Sequence, residues 1–206
     1  MKTPRIAGSS VILRFEDRFV FELQKSYKWI IDETGRVCIG LGCIGGSIEA
    51  GEGPLQALRR EAREEIGVEI DLLPAPGMLL VKTDNSVVDD VDPGQYKGAV
   101  IQWYGDRPEY ANWLILSYLG TTRAKPAPND LPGIILARPK DLLKALRESL
   151  TLEELRQSGI EVISRAPLPD GAKLVPRGTA KRLFYLMENE PQKLLAVMPA
   201  DWAGFF

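Results

Sequence analysis

Histidine is absent from all 206 residues of this chain. That excludes Ser-His-Asp and Cys-His catalysis, histidine-bound zinc and imidazole general bases together. Any chemistry must run on carboxylates, Lys, Tyr or a metal held by oxygen ligands, and all-oxygen sites suit Mg²⁺, Mn²⁺ or Ca²⁺. Cysteine is scarce: Cys38 and Cys43 are too few for a disulfide framework. Their odd separation places them on opposite faces of any strand they share. Cysteines of this kind are mostly small buried hydrophobes, which fits a reducing compartment and a cytoplasmic location. No apolar run approaches bilayer length and the first residues lack a signal-peptide core, so no membrane association is expected. An excess of one charge is missing as well. The formal net charge is -2 with no block of like charge, which argues against a dedicated nucleic-acid binder.

What remains is ordinary globular material, 45% hydrophobic and 26% charged, enough for one domain with a full core and an extension. Residues 6–15 and 18–24 read as two strands around the polar turn Glu16-Asp17, and residues 29–32 and 36–44 as two more around Glu33-Thr34-Gly35. The stretch GLGCIGGSIEAGEG, residues 40–53, is too rich in glycine to be helix. Residues 54–66 form the clearest helix, with Pro54 at its first position and Gly67 after its last. Leu55, Leu58, Ala62 and Ile66 give it an apolar stripe. Strands are expected over residues 69–73, 78–83, 99–104 and 113–122, a second helix over 139–149, then helix 152–157, strand 161–165 and helix 179–189. The order of strands and helices indicates a mixed α/β sandwich without regular βαβ alternation. We divide it into a domain over residues 1–149 and a C-terminal extension, 150–206, that packs on the domain or on a partner subunit. The aromatic end, Trp202 to Phe206, would be an unusual patch if left in water.

The first helix carries Glu61, Glu64 and Glu65 at i, i+3 and i+4, so all three carboxylates project from one side. The placement is poor for stability. Like charges at this spacing repel by a few tenths of a kcal/mol per pair, and the helix dipole disfavours acids in the C-terminal half. Arg59, Arg60 and Arg63 relieve part of the strain, and a solvated Glu/Arg face is a common alternative. A divalent cation held by the carboxylates would give the arrangement a reason.

The surroundings favour the cation. From Gly46 the chain runs GSIEAGEGPLQALRREAREEIGV, which fits G-x5-E-x7-R-E-U-x-E-E-x-G-U (U aliphatic) at every specified position. From average residue usage, the chance of such a match in a chain of this length is on the order of 10⁻⁷. This stretch, residues 46–68, resembles the Nudix box, the defining motif of the Nudix hydrolases. Ile44 stands where that family usually has proline, and the last fifty-odd residues have no recognisable counterpart.

The resemblance implies a Nudix-type α/β/α sandwich with a mixed β-sheet between helices. It implies a metal-dependent pyrophosphohydrolase that cleaves a nucleoside diphosphate linked to X, such as a nucleotide sugar, a dinucleoside polyphosphate or a modified nucleoside triphosphate. Glu61, Glu64 and Glu65 would hold Mg²⁺ or Mn²⁺, with the Gly45 carbonyl as a further ligand. Glu61 could instead act as base toward the attacking water, and Arg60 would orient a carboxylate with Glu52 as its partner. Relatives often recruit another loop acid, for which Asp84, Asp89, Asp90, Asp92, Glu109 and Asp130 are candidates. Tyr104 and Tyr110 are the aromatic residues best suited to stack on a base, while Trp29 and Trp113 are expected in the core. The implied partner is a small nucleotide-type molecule, and many relatives form homodimers. A rival reading is a non-catalytic nucleotide-sensing module on the same fold, whose signature would be lost carboxylates. The related isoprenoid isomerase relies on histidine, which is absent.

Overall fold

A computed structural model describes residues 5–89, 96, 98–104 and 112–206. Its centre is a single mixed sheet. The long strands β1 (Arg5–Phe15), β2 (Arg18–Leu23) and β4 (Val37–Ser47) lie together, with β3 (Ile30–Ile31) pairing on β4. Helix α1 (Pro54–Ile66) follows, then β5 (Asp71–Leu73), β6 (Leu79–Val81), β7 (Val87–Val88), β8 (Ala99–Tyr104), β9 (Trp113–Thr121) and β10 (Gly133–Ala137). The remainder is α2 (Pro139–Arg147), α3 (Leu152–Gln157), β11 (Glu161–Ser164), β12 (Lys173–Pro176), α4 (Gly178–Asn189) and α5 (Pro191–Val197). The main path of the sheet is β11-β10-β2-β4-β1-β9-β8-β6-β7, with β12 pairing parallel to β4. Strands β1 and β9 are also parallel, whereas β1–β2, β1–β4 and β2–β4 are antiparallel.

Alternation along the strands supplies both layers of core. Val11 and Leu13 of β1, Val20 of β2 and Ile44 of β4 pack with Leu58, Ala62 and Ile66 of α1. Ile12, Phe19, Phe21, Ile39 and Leu41 face the other way, toward Leu142 of α2 and Leu183 and Phe184 of α4. The expected α/β/α sandwich is the observed one. Among the described residues, no helix is long and apolar enough to cross a membrane.

Three details differ from the sequence reading. Strand β4 runs on through the glycines to Ser47, because side chains of the neighbouring strand lie across them. A Cβ on Gly40 would sit 2.0 Å from Gln24 Oε1, and one on Gly42 2.1 Å from Glu22 Oε1. Leu55 is exposed, and Ala57 and Glu65 join Leu58, Ala62 and Ile66 on the buried side of α1. The segment after residue 149 adds two strands to the sheet, β11 on β10 and β12 on β4, and lays α4 over it. Strand β12 had no sequence signal beyond a short apolar run.

The aromatic C-terminus does dock. Trp202 is fully buried, edge-on to Phe19 at 5.0 Å between ring centroids, with Phe205 and Phe206 against the same ring. Deleting residues 201–206 is expected to uncover Phe19 and lower the melting temperature by roughly 6–20 °C, in line with the about 3–5 kcal/mol cost of removing a buried Trp. Thermal unfolding of the truncated chain checks this. Both cysteines are buried and free.

Candidate active site

Helix α1 starts at Pro54 and stops at Gly67, whose φ of 68° is left-handed and whose N–H bonds the Arg63 carbonyl. Between those ends the side chains of Arg60, Glu61, Glu64 and Glu65 converge on the loop that leaves β4. Arg60 is the hub. Its Nε and Nη2 donate to the two carboxylate oxygens of Glu52 at 2.8 and 3.1 Å, a bidentate fork. Its Nη1 donates to Glu61 at 2.9 Å and to Glu64 at 3.0 Å, and Nη2 also reaches the Ser47 carbonyl. Glu52 Oε2 in turn accepts from the Glu49 N–H at 3.1 Å. The guanidinium thus ties the loop to the helix and holds two of the carboxylates side by side.

The remaining acids are recessed. Glu65 is 7% exposed, and its Oε2 accepts the Gly45 N–H at 3.1 Å. Gly45, whose carbonyl was the expected ligand, thus makes this contact through its N–H, from a backbone φ of 145°. Glu61 packs against the bare backbone of Gly46, where a Cβ would fall 2.2 Å from Glu61 Oε1. Gly46→Ala is expected to push the Glu61 carboxylate aside and cut any activity of this site by about 10²-fold, the usual cost of an ångström of misplacement. The melting temperature should shift little, because the tip of a flexible side chain is all that moves. Steady-state kinetics beside a thermal melt would show the split.

Electrostatics mark one residue that the motif does not contain. Glu22, on β2, lies at the same face as Glu61 and Glu65 with its carboxylate over Gly42. Burial, then the charge of Glu61, raises its pKa to about 7 against the pull of Lys28 and Lys25. Burial and the charge of Glu22 together raise Glu65 to about 9, and burial raises Glu61 despite its bonds to Arg60. Glu52 moves the other way, lowered by its hydrogen bonds to Arg60. The signal for Glu22 was present, a charge within FVFEL on the strand face that also carries the buried Val20. Of the candidate loop acids, Asp130 is ion-paired to Lys25 at 2.7 Å and its charge is felt by Glu22, Glu61 and Glu65. Asp84 is exposed and holds its own turn through Ser86, and Asp89 is exposed. Asp90, Asp92, Glu109 and Tyr110 lie outside the described residues.

A cavity of about 200 Å³ opens beside this cluster, at the end of the sheet where β4 and β8 finish and β1 and β9 begin. Glu22, Gly45 and Gly46 form one side of it, and Trp103, Trp113 and Thr179 are on its wall. Tyr104 is not part of that wall; it is partly buried against the α1 layer of the core. Trp113, expected in the core, is 36% exposed and borders the cavity instead. Trp29 packs against the α4 layer and donates its Nε1 to the Gln24 carbonyl at 2.6 Å.

A family model described as the NUDIX domain matches residues 4–165, more than three quarters of the chain. This chain belongs to the Nudix hydrolase family. Solved structures with a similar fold include a NUDIX-family hydrolase from Clostridium perfringens, 19% identical, covering 66% of this chain and 82% of that one at a TM-score of 0.42. A MutT protein from Methanosarcina mazei Go1 is 12% identical and covers 94% of this chain and 99% of its own, at a TM-score of 0.48. An ADP-ribose pyrophosphatase from Streptococcus suis 89-1591, 12% identical, covers 63% and 69% at a TM-score of 0.34. No curated protein matches. The Nudix match includes the box and every acid described above. It stops before β12, α4 and α5.

The oxygen donors suit the divalent cation that Nudix hydrolases generally use. Three recessed carboxylates, Glu22, Glu61 and Glu65, carry more negative charge than Arg60 and Lys25 offset, and burial makes each costly to ionise alone. Among the described residues no three His, Cys, Asp or Glu side chains are grouped so as to hold a metal ion as they stand. Arg60, shared by Glu61 and Glu64, supplies the positive charge that brings those two together.

Proposed function

We propose that this Nudix hydrolase is a metal-dependent pyrophosphohydrolase acting on a nucleoside diphosphate linked to another group. The observation that carries the proposal is the Arg60 hub, which presents Glu61 and Glu64 side by side at 2.9 and 3.0 Å from one nitrogen beside a cavity that contains Gly45 and Gly46. Glu61, Glu64 and Glu65, with the Gly45 backbone, would hold Mg²⁺ or Mn²⁺. When bound, the cation neutralises charge on the diphosphate and lowers the barrier to its displacement.

The chain's own residues do the rest. Arg60 fixes the carboxylates and locks the loop through Glu52, so the site is set before substrate arrives. The bare backbone of Gly46 lets the Glu61 carboxylate lie against it at the edge of the cavity. A water attacks one phosphorus, forming a new P–O bond while the bridging P–O bond breaks. The leaving phosphate takes the bond's electron pair. The water's proton passes to a carboxylate of the cluster, with Glu61 the candidate where it is not itself a metal ligand. The products are a nucleoside monophosphate and a phosphorylated partner group.

The test is a panel assay with Mg²⁺ or Mn²⁺ and ADP-ribose, ADP-glucose, NADH, diadenosine polyphosphates and modified nucleoside triphosphates. Turnover of at least one compound, lost in Glu64→Gln and in chelator, is the expected result. No turnover on any compound, with metal and nucleotide still binding, would favour a sensing module.

A further inference from the structure

The cavity beside the acidic site is partly built by a segment that the Nudix family match does not include. Arg177, Gly178 and Thr179, at the start of α4, line it together with Trp103 and Trp113. Its volume of about 200 Å³ is below the roughly 300–1,000 Å³ of a complete small-molecule site, so it suits one ring system and not a whole nucleotide. One end meets Glu22, Gly45 and Gly46, where the diphosphate would lie.

The indole of Trp103 is held with unusual care for a wall residue. Its Nε1 donates to Thr179 Oγ1 at 3.0 Å. Thr179 Oγ1 also bonds Ser10 Oγ at 2.6 Å and Ser117 Oγ at 2.9 Å, and Ser10 donates to Ser117 at 3.1 Å. These three buried hydroxyls form a ring drawn from β1, β9 and α4, and a Thr oxygen has the lone pairs to accept the indole N–H as well. Arg182, fully buried on α4, places its guanidinium 5.2 Å from the Trp103 ring centroid, a cation–π distance. Gly178 lies along the ring's far edge, where a Cβ would already be in contact with Cζ2 at 3.6 Å. An indole that only filled core space would not need a braced hydroxyl on its N–H and a guanidinium over its ring while remaining partly open to a cavity.

We propose that Trp103 is the surface that recognises the planar base of the substrate, and that Thr179 and Arg182 are positioning residues that hold it. The C-terminal segment beyond the family match is then part of the base site. It orients the indole on the α4 side, while the acids of α1 act on the phosphates. Stacking on an aromatic ring accepts any base, so the clamp supplies affinity for a base as such. This inference rests on the hydrolase reading for the placement of the phosphates.

The test is equilibrium binding of inorganic pyrophosphate and of ADP, GDP, CDP and UDP to the full chain. At least one nucleoside diphosphate is expected to bind wild-type protein about tenfold or more tightly than pyrophosphate, as one stacked base contributes. Trp103→Leu should remove that advantage and leave pyrophosphate affinity unchanged. Thr179→Val should reduce it severalfold, and Thr179→Ser, which keeps the hydroxyl, should restore it. Trp103→Phe, which keeps a ring without the N–H, should lie between wild type and Trp103→Leu, and it decides the matter if the leucine variant does not fold. The inference is overturned if no nucleoside diphosphate outbinds pyrophosphate, if the advantage survives Trp103→Leu and Thr179→Val, or if pyrophosphate binding falls in parallel. The panel assay separates the two readings. Turnover with a base advantage indifferent to Trp103 sinks this inference alone, whereas a Trp103-dependent advantage without turnover sinks the hydrolase reading alone.

Discussion

Glu65→Gln is expected to make the protein more stable in chelator at pH 8 while abolishing turnover. Glu65 is 7% exposed, and burial together with the charge of Glu22 raises its pKa to about 9. A carboxyl group whose folded pKa lies above its unfolded value binds its proton more tightly in the native state. Its stabilising contribution is therefore complete below the unfolded pKa near 4.5 and is lost as pH rises through about 9. Glu22 adds a second loss as pH passes about 7. Metal-free wild-type protein should lose stability steadily from pH 5 to pH 9. Glu65→Gln keeps an oxygen for the Gly45 N–H and carries no charge, so its curve should be flatter. A gain of roughly a few kcal/mol at pH 8 is expected, because the variant has no carboxyl group that ionises more readily in the unfolded chain than in the folded one, with little difference at pH 5. Mn²⁺ should reverse the ranking by stabilising wild-type protein and not the variant. Urea melts at the two pH values, with and without Mn²⁺, check all of this. Equal slopes with pH for the two proteins would refute the account of Glu65.

Arg60→Lys should be nearly as damaging to activity as loss of a carboxylate. One guanidinium serves Glu52 through two nitrogens and Glu61 and Glu64 through a third, a fork that a single ammonium cannot reproduce. With the hub gone, Glu61 and Glu64 repel and the loop that carries Glu52 is released from α1. We expect kcat to fall by about 10²-fold or more, with a smaller change in KM if the cavity walled by Trp103 still receives the base. Glu52→Gln should show a milder version of the same defect, since it leaves Arg60 bonded to Glu61 and Glu64. Kinetics of the two variants on one substrate would order them, and an Arg60→Lys enzyme with wild-type kcat would contradict the role given to the hub.

The acidic helix α1 was legible because its logic is local. Pro54 and Gly67 mark its ends, and the i, i+3, i+4 spacing alone places Glu61, Glu64 and Glu65 on one side. The partnership of Arg60 with Glu52 also followed from the box. The long strands were legible for a similar reason, since Phe19, Phe21 and Leu23 alternate with Arg18, Val20 and Glu22 and the turns at Glu16-Asp17 and Glu33-Thr34-Gly35 separate the runs. What a local pattern cannot carry is proximity between distant elements. Glu22 reaches Glu65 only because β2 and β4 pair and α1 crosses them, and Thr179 meets Ser10 and Ser117 across separations of 169 and 62 residues. The side to which each aromatic turns was hidden for the same cause. Tyr104 and Trp103 are neighbours on β8, and strand parity sends Trp103 toward α4 and Tyr104 toward the α1 layer.

The central claim is that these acids direct a water onto phosphorus, and isotope labelling tests it most directly. The best substrate of the panel is turned over in H₂¹⁸O with Mg²⁺ or Mn²⁺, and the two phosphorylated products are weighed by mass spectrometry. One ¹⁸O per turnover, on the phosphate of one product and absent in Glu64→Gln, is what the account predicts. Products without label, or labelled products formed equally by Glu64→Gln, would contradict it.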